Sequence, residues 1–254
     1  MKTLSGLLFF CLFLTALSKT YVGEDTYEYP IFGEPDFTAE EIPQEIRDSQ
    51  QNMNINMQTL PMMIMPNGGQ TDSRVEYLVK ILGSGNIFFT KEDIVWSINN
   101  SVMKVTYPEG NLQNLDHGEE LEGKVNFMIG NDRDKWVIGL PTYGHISYNG
   151  VWKGIQLRHK IQDGSFLSEW HVERGSDYKK IKIEVDEWKD LQLDENGQLL
   201  YKNTTGNVFL IEKPPLFIQG ETRLNGNYQI KDNIISFKIN DPKFVPKKKL
   251  VITG

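Results

Sequence analysis

Three oxygen-bearing side chains, Asn131, Asp132 and Asp134, fall within four positions of one another. They sit in a stretch, residues 125–157, that reads VNFMIGNDRDKWVIGLPTYGHISYNGVWKGIQL. Such a cluster can begin a Ca²⁺ loop, because hard cations take carboxylate and amide oxygens. An EF-type loop also needs glycine at its sixth position and glutamate at its twelfth. Counted from Asn131, those places hold Trp136 and Thr142. The pattern therefore favours an Asx-turn, in which these oxygens accept nearby backbone amides, and leaves calcium as the alternative. Asp194, Asn196 and Gly197 read the same way, as a hairpin turn before a calcium loop. The stretch also carries Trp136, Tyr143, Tyr148 and Trp152, rings with polar handles that suit a platform for sugars or peptide. Alternating with small and polar residues, they equally suit the core of a sheet, and Trp152 is the one to test as a surface exception.

Catalytic chemistry finds less to work with. His117, His145, His159 and His171 lack the close pairing that zinc sites show. No Gly-x-Ser-x-Gly elbow, phosphate-binding loop or His-Glu-x-x-His occurs. A glycosidase needs only two carboxylates at a suitable separation. Glu169, beside Trp170, is the best single candidate for that work, although a solvent-facing strand glutamate explains it more simply.

These residues need a compartment and a scaffold. Lys2 followed by LLFFCLFLTAL (residues 7–17) and Ala16-Leu17-Ser18 has the form of a signal peptide over residues 1–18. The run is too short for a membrane-spanning helix, which needs about twenty apolar residues, and no later run matches it. The expected chain is exported, secreted or at the cell surface, with no membrane span after signal removal. Cys11 is the only cysteine. Cleavage after Ser18 would leave none, excluding disulfides, thiolate metal sites and a cysteine nucleophile. The net charge of −7 resides between Lys19 and Pro66, where nine acidic residues face two basic ones. The nearly neutral remainder does not suit nucleic-acid binding.

Residues 19–52 are acidic and proline-punctuated, and read as a flexible, disordered leader with room for one short helix near 38–49. Residues 53–65 hold five of the eight methionines. Thioethers suit copper(I), but ordinary strand packing is the simpler reading. From residue 74 the alternation is that of strands. Val75, Tyr77, Val79 and Ile81 share one predicted face. So do Ile181, Ile183 and Val185, and Ile235, Phe237 and Ile239. Turn signals recur at Gly83–Asn86, Asn149-Gly150, Asp163-Gly164, Glu195-Asn196-Gly197 and Asn225-Gly226. This spacing predicts residues 53–254 as one mainly β domain, an antiparallel sandwich with a barrel as the alternative. Glycosylation sequons stand at Asn99 and Asn203.

The stretches 67–95 and 123–157 resemble a family of β-rich domains in secreted, mostly bacterial proteins, where they lie N-terminal to arrays of SBBP β-propeller-type repeats. The likeness rests on Asn67, Gly69 and Gln70; Phe88-Phe89-Thr90; Asn126-Phe127 and Gly130-Asn131-Asp132; Trp136; Pro141-Thr142-Tyr143; and Tyr148, Val151, Gly154 and Ile155. It covers about residues 59–253. The resemblance implies an extracellular β-rich head domain, here expected without its repeats, and no established activity. The first expectation is a non-enzymatic binding or scaffolding module with an extracellular glycan or protein partner. A carbohydrate-active hydrolase is the second, and an assembly part pairing through edge strands at 53–65 and 248–253 the third. The oligomeric state stays open.

Overall fold

The computed structural model describes residues 62–254 except 82–84, 99–100, 129–131, 187–189 and 203–207, together with the backbone of Phe9–Cys11. The strands, in chain order, are β1 (Phe9–Cys11), β2 (Met62–Pro66), β3 (Val75–Ile81), β4 (Gly85–Thr90), β5 (Ile94–Ile98), β6 (Ser101–Thr106) and β7 (Leu115–His117). Next come β8 (Glu120–Phe127), β9 (Val137–Tyr143), β10 (His145–Trp152), β11 (Ile155–Gln162), β12 (Ser165–Val172), β13 (Ile183–Asp186) and β14 (Asp190–Leu193). Last are β15 (Leu199–Lys202), β16 (Val208–Glu212), β17 (Leu216–Gln219), β18 (Thr222–Leu224), β19 (Gly226–Lys231), β20 (Ile234–Ile239) and β21 (Leu250–Thr253). No α-helix occurs among the described residues.

An eleven-stranded sheet runs β1-β8-β9-β2-β3-β4-β5-β6-β13-β20-β19, and a seven-stranded sheet runs β18-β17-β21-β12-β11-β10-β7. A three-stranded sheet, β14-β15-β16, adds its inner side chains to the core between them. Every pairing is antiparallel except that of β1, which runs parallel to β8 with Phe9 opposite Lys124. The sheets stay open, so the architecture is the sandwich and not the barrel. Its main core joins Val79, Ile87 and Phe89 of the large sheet to Tyr148, Leu157, Trp170 and Ile252 of the other, with Leu199 and Tyr201 from the small one.

A second core explains why several strands read as continuously apolar. Met65, Leu78, Phe88 and Val95 lie on the back of β2–β5. The β8–β9 hairpin joins the sheet through the Ile64–Tyr143 bridge and supplies Val125, Phe127 and Leu140 to that face. Strands buried on both faces lose the alternation that marks half-buried ones. The methionines divide accordingly: Met62 packs on the main core, while Met63 and Met65 pack on the second.

Several local expectations are corrected. A bulge between Val75 and Tyr77 shifts the phase, so Val75 joins the second core while Tyr77, Val79 and Ile81 face the main one. Asn149-Gly150 is no hairpin turn; it forms a bulge inside β10, and the chain reverses at Lys153-Gly154, where Gly154 has φ +73°. Asn225-Gly226 carries the chain from β18 in one sheet to β19 in the other. Of the expected edge at 53–65, residues 53–61 lie outside the described residues; its described part and the strand at the chain's end are both interior. β2 lies between β9 and β3, and β21 lies between β17 and β12. The hairpins at Asp163-Gly164 and at Glu195-Asn196-Gly197 form as expected. One unanticipated hairpin joins β19 to β20 through Asp232 and Asn233, both left-handed at φ 51° and 60°.

Candidate functional site

Strand alternation assigns the two faces of the seven-stranded sheet. Tyr148, Leu157, Trp170, Ile252 and Phe217 enter the core. Their neighbours Ser147, Arg158, Glu169, Thr253 and Leu216 turn to the outer face, in one cross-strand row that begins at Asp116 on β7. One flanking row sets His145 opposite Lys160, and the other sets Gln156 opposite His171. Cross-strand neighbours stand about 4.5–5.5 Å apart at Cβ, so register alone gathers these polar groups.

Glu169 anchors the face. Its carboxylate takes Lys160 Nζ at 2.7 Å on one oxygen and His171 Nε2 at 3.2 Å on the other. Burial pushes its pKa up, but the Lys160 and His171 hydrogen bonds outweigh that and hold it below the usual carboxylate range. His145 Nδ1 lies 3.5 Å from Glu119, while burial and then nearby Arg158 depress the His145 pKa. Ser147 is buried, and among the described residues its Oγ and the Nε of Arg158 have no hydrogen-bond partner. Among the described residues, the Ser147 hydroxyl makes no hydrogen bond to His145 or His171.

A second site lies inside the sandwich. A cavity of about 50 Å³ is lined by aromatic rings that include Trp96, Trp170, Tyr201, Tyr228 and Phe237, by Glu212 and by His159. Tyr228 Oη donates to Glu212 Oε2 at 3.4 Å, and Tyr201 hydrogen-bonds the same carboxyl. Burial raises the Glu212 pKa to about 7. His159 sits 3 % exposed with Nδ1 3.0 Å from Ser168 Oγ, and Nε2 finds no partner among the described residues. Burial lowers its pKa to about 3, so the ring is neutral at physiological pH.

Residues 64–253 match the family described as a domain of unknown function, DUF7948. The chain belongs to the DUF7948 family. The matched span opens inside β2 and closes at the end of β21, taking in every strand but β1. No curated protein and no solved structure matches the chain.

The DUF7948 domain scatters the aromatic residues singled out in its sequence. Tyr148 is fully enclosed and Trp152 is 7 % exposed, packed 5.8 Å from Trp170. Tyr143 is buried and stacks on His117 at 3.9 Å. Trp136 alone keeps appreciable exposure, beneath the Arg133 guanidinium at 5.5 Å. The four rings therefore make no single exposed platform, because β10 pairing sets Tyr148 opposite Leu157 and Trp152 opposite Ile155, on the inward face.

Of the candidate calcium ligands, Asn131 lies outside the described residues. Asp132 caps the short 3-10 turn Arg133–Lys135, accepting the Asp134 amide at 3.2 Å and pairing with Lys135 at 3.2 Å, and Asp134 is exposed. Residues 19–52 and both sequon asparagines also lie outside. Sequence reasoning missed Glu212, although a signal existed: in VFLIE, alternation puts Glu212 on the inward face of Leu210. Arg158 carried no comparable signal, since only strand pairing sets it beside Ser147 and Glu169.

Proposed function

We propose that this DUF7948 chain is an exported, non-catalytic binding or scaffolding module that meets an extracellular glycan or protein through the outer face of its seven-stranded sheet. The observation that carries this reading is the row from Asp116 through Ser147, Arg158 and Glu169 to Thr253, which spans five strands of one sheet. Such a row presents donors and acceptors at fixed spacing on a rigid element, which favours recognition of an extended partner. Glu169 is already held by Lys160 and His171 and so acts as a brace, while Arg158 beside it, which forms no ion pair among the described residues, is a cation available to a partner.

At Glu169 the electrostatics favour recognition over turnover. A glycosidase acid must carry a raised pKa to stay protonated near neutrality. Glu169 is shifted the other way and would be a weak base as well as a poor acid. Export rests on the form of residues 1–18, and the likeness to domains that precede repeat arrays supports a place at the cell surface. The test is a turnover panel of glycosides, esters and peptides with wild type and Glu169→Gln. The expected result is no turnover by either protein. Reproducible hydrolysis that vanishes in Glu169→Gln would overturn the reading.

A further inference from the structure

Among the described residues, Glu212 has no cationic partner. The described residues that line the cavity include no lysine or arginine, and their one imidazole, His159, is neutral. Its hydrogen-bond partners are the hydroxyls of Tyr201 and Tyr228, which orient the carboxyl without neutralising it. A carboxylate enclosed without a cation is strongly disfavoured, and its protonation or the arrival of a cation relieves that. Phe237 packs 5.6 Å from Tyr228, and Trp170 and Trp96 complete the aromatic lining of the cavity. Aromatic faces attract cations through the ring quadrupole, the more so where water is scarce.

Size and access narrow the occupant. About 50 Å³ holds only a few water-sized bodies, since one water needs on the order of 10–15 Å³ in this measure. Sugars and other drug-sized ligands need a pocket of roughly 300 Å³ or more. Glu212 is itself partly exposed, so its carboxyl can be reached from solvent. We propose that the cavity is a binding site for a small alkylammonium group, with the Glu212 carboxylate as its counter-ion and the aromatic walls as its cage. This site is separate from the outer sheet face and stands whether or not that face binds a partner.

The pH dependence follows from the groups that face Glu212. Burial raises the tyrosines Tyr107 of the β6–β7 connection, Tyr201 of β15 and Tyr228 of β19 further above neutrality, and His159 of β11 titrates near pH 3. Between pH 5.5 and 8 the titrating group among the described lining residues is therefore Glu212, whose ionised fraction rises about thirtyfold across that window.

The test is a titration of the full-length chain with methylammonium chloride at constant ionic strength, against sodium chloride, followed by thermal shift and by tryptophan fluorescence. Nα-acetyl-lysine N-methylamide serves as a second probe, to tell a free amine from a lysine side chain. The expected result is saturable binding at pH 8, at least tenfold weaker at pH 5.5 and absent in Glu212→Gln. Binding of methylammonium alone would assign a free amine, and binding of both a lysine-bearing partner. A response equal in Glu212→Gln, equal with sodium chloride or flat across pH would overturn the proposal. So would no response at all, which would leave the cavity to water. The pH comparison uses wild type only, so it stands even if the variant folds poorly.

Discussion

The hydroxyl of Tyr148 donates to the backbone carbonyl of Thr90 at 2.8 Å, linking the seven-stranded sheet to the eleven-stranded one through the middle of the core. Thr90 is itself fixed, because its Oγ1 accepts the amides of Glu92 and Asp93 at 3.0 Å and donates to the Asp93 carboxylate at 2.8 Å. Removing the phenolic oxygen strands a buried carbonyl, a loss of about 1–3 kcal/mol. Tyr148→Phe should therefore lower the urea midpoint with an unchanged slope. A variant as stable as wild type would show that water replaces the bond.

Trp152 and Trp136 should respond oppositely to truncation. Trp152 packs against Tyr107 and Trp170 in the core, so Trp152→Ala should lose about 3–5 kcal/mol. Trp136 keeps its exposure, and its contact with Arg133 contributes about 0.5–1 kcal/mol. Paired denaturation curves check this. Equal losses at the two positions would contradict the burial described here.

Glu212 should make stability fall as pH rises. Its pKa is raised in the folded chain to about 7 from an ordinary 4.5, so the folded state binds more protons than the unfolded one between those values. Stability from this group is full below pH 4.5 and declines through pH 7, by roughly 3 kcal/mol in all. Urea unfolding of wild type at pH 5 and pH 8, compared with Glu212→Gln, isolates the effect. The variant should lack this fall; an identical slope in both proteins would assign it to another group.

The sign at Glu169 is the reverse. Its pKa is held low in the folded state, so its contribution is present above the unfolded carboxylate pKa and is lost as pH falls through the folded value. Its partners Lys160 and His171 are each 29 % exposed, so solvent screening limits the effect to about 1 kcal/mol. Glu169→Gln should lose that amount at pH 7 and almost nothing at pH 3. A larger loss at pH 3 than at pH 7 would refute the ion-pair account.

Much of the fold was legible because half-buried strands announce themselves. Ile181, Ile183 and Val185 alternate as read, and so do Ile235, Phe237 and Ile239. Misreadings occurred where tertiary structure overrode local signals. Gly150 has the left-handed φ of +69° that Asn-Gly turns use, yet it serves a bulge within a strand. The phase slip at Val75 has no local mark, since VEYLV alternates well enough without it. Sites were harder to read than strands. Ser147, Arg158 and Glu169 are eleven residues apart in succession and meet only through strand register, and Glu212 meets Tyr228 only once the small sheet docks.

The most direct test of the outer face as a recognition surface is quantitative binding to an array of extracellular glycans and surface proteins. Wild type would be compared with Arg158→Gln, His171→Ala and the interior control Glu212→Gln. The account predicts at least one ligand whose affinity drops tenfold or more with Arg158→Gln and His171→Ala and holds with Glu212→Gln. Binding that ignores both face substitutions, or an array on which wild type binds nothing, would contradict it.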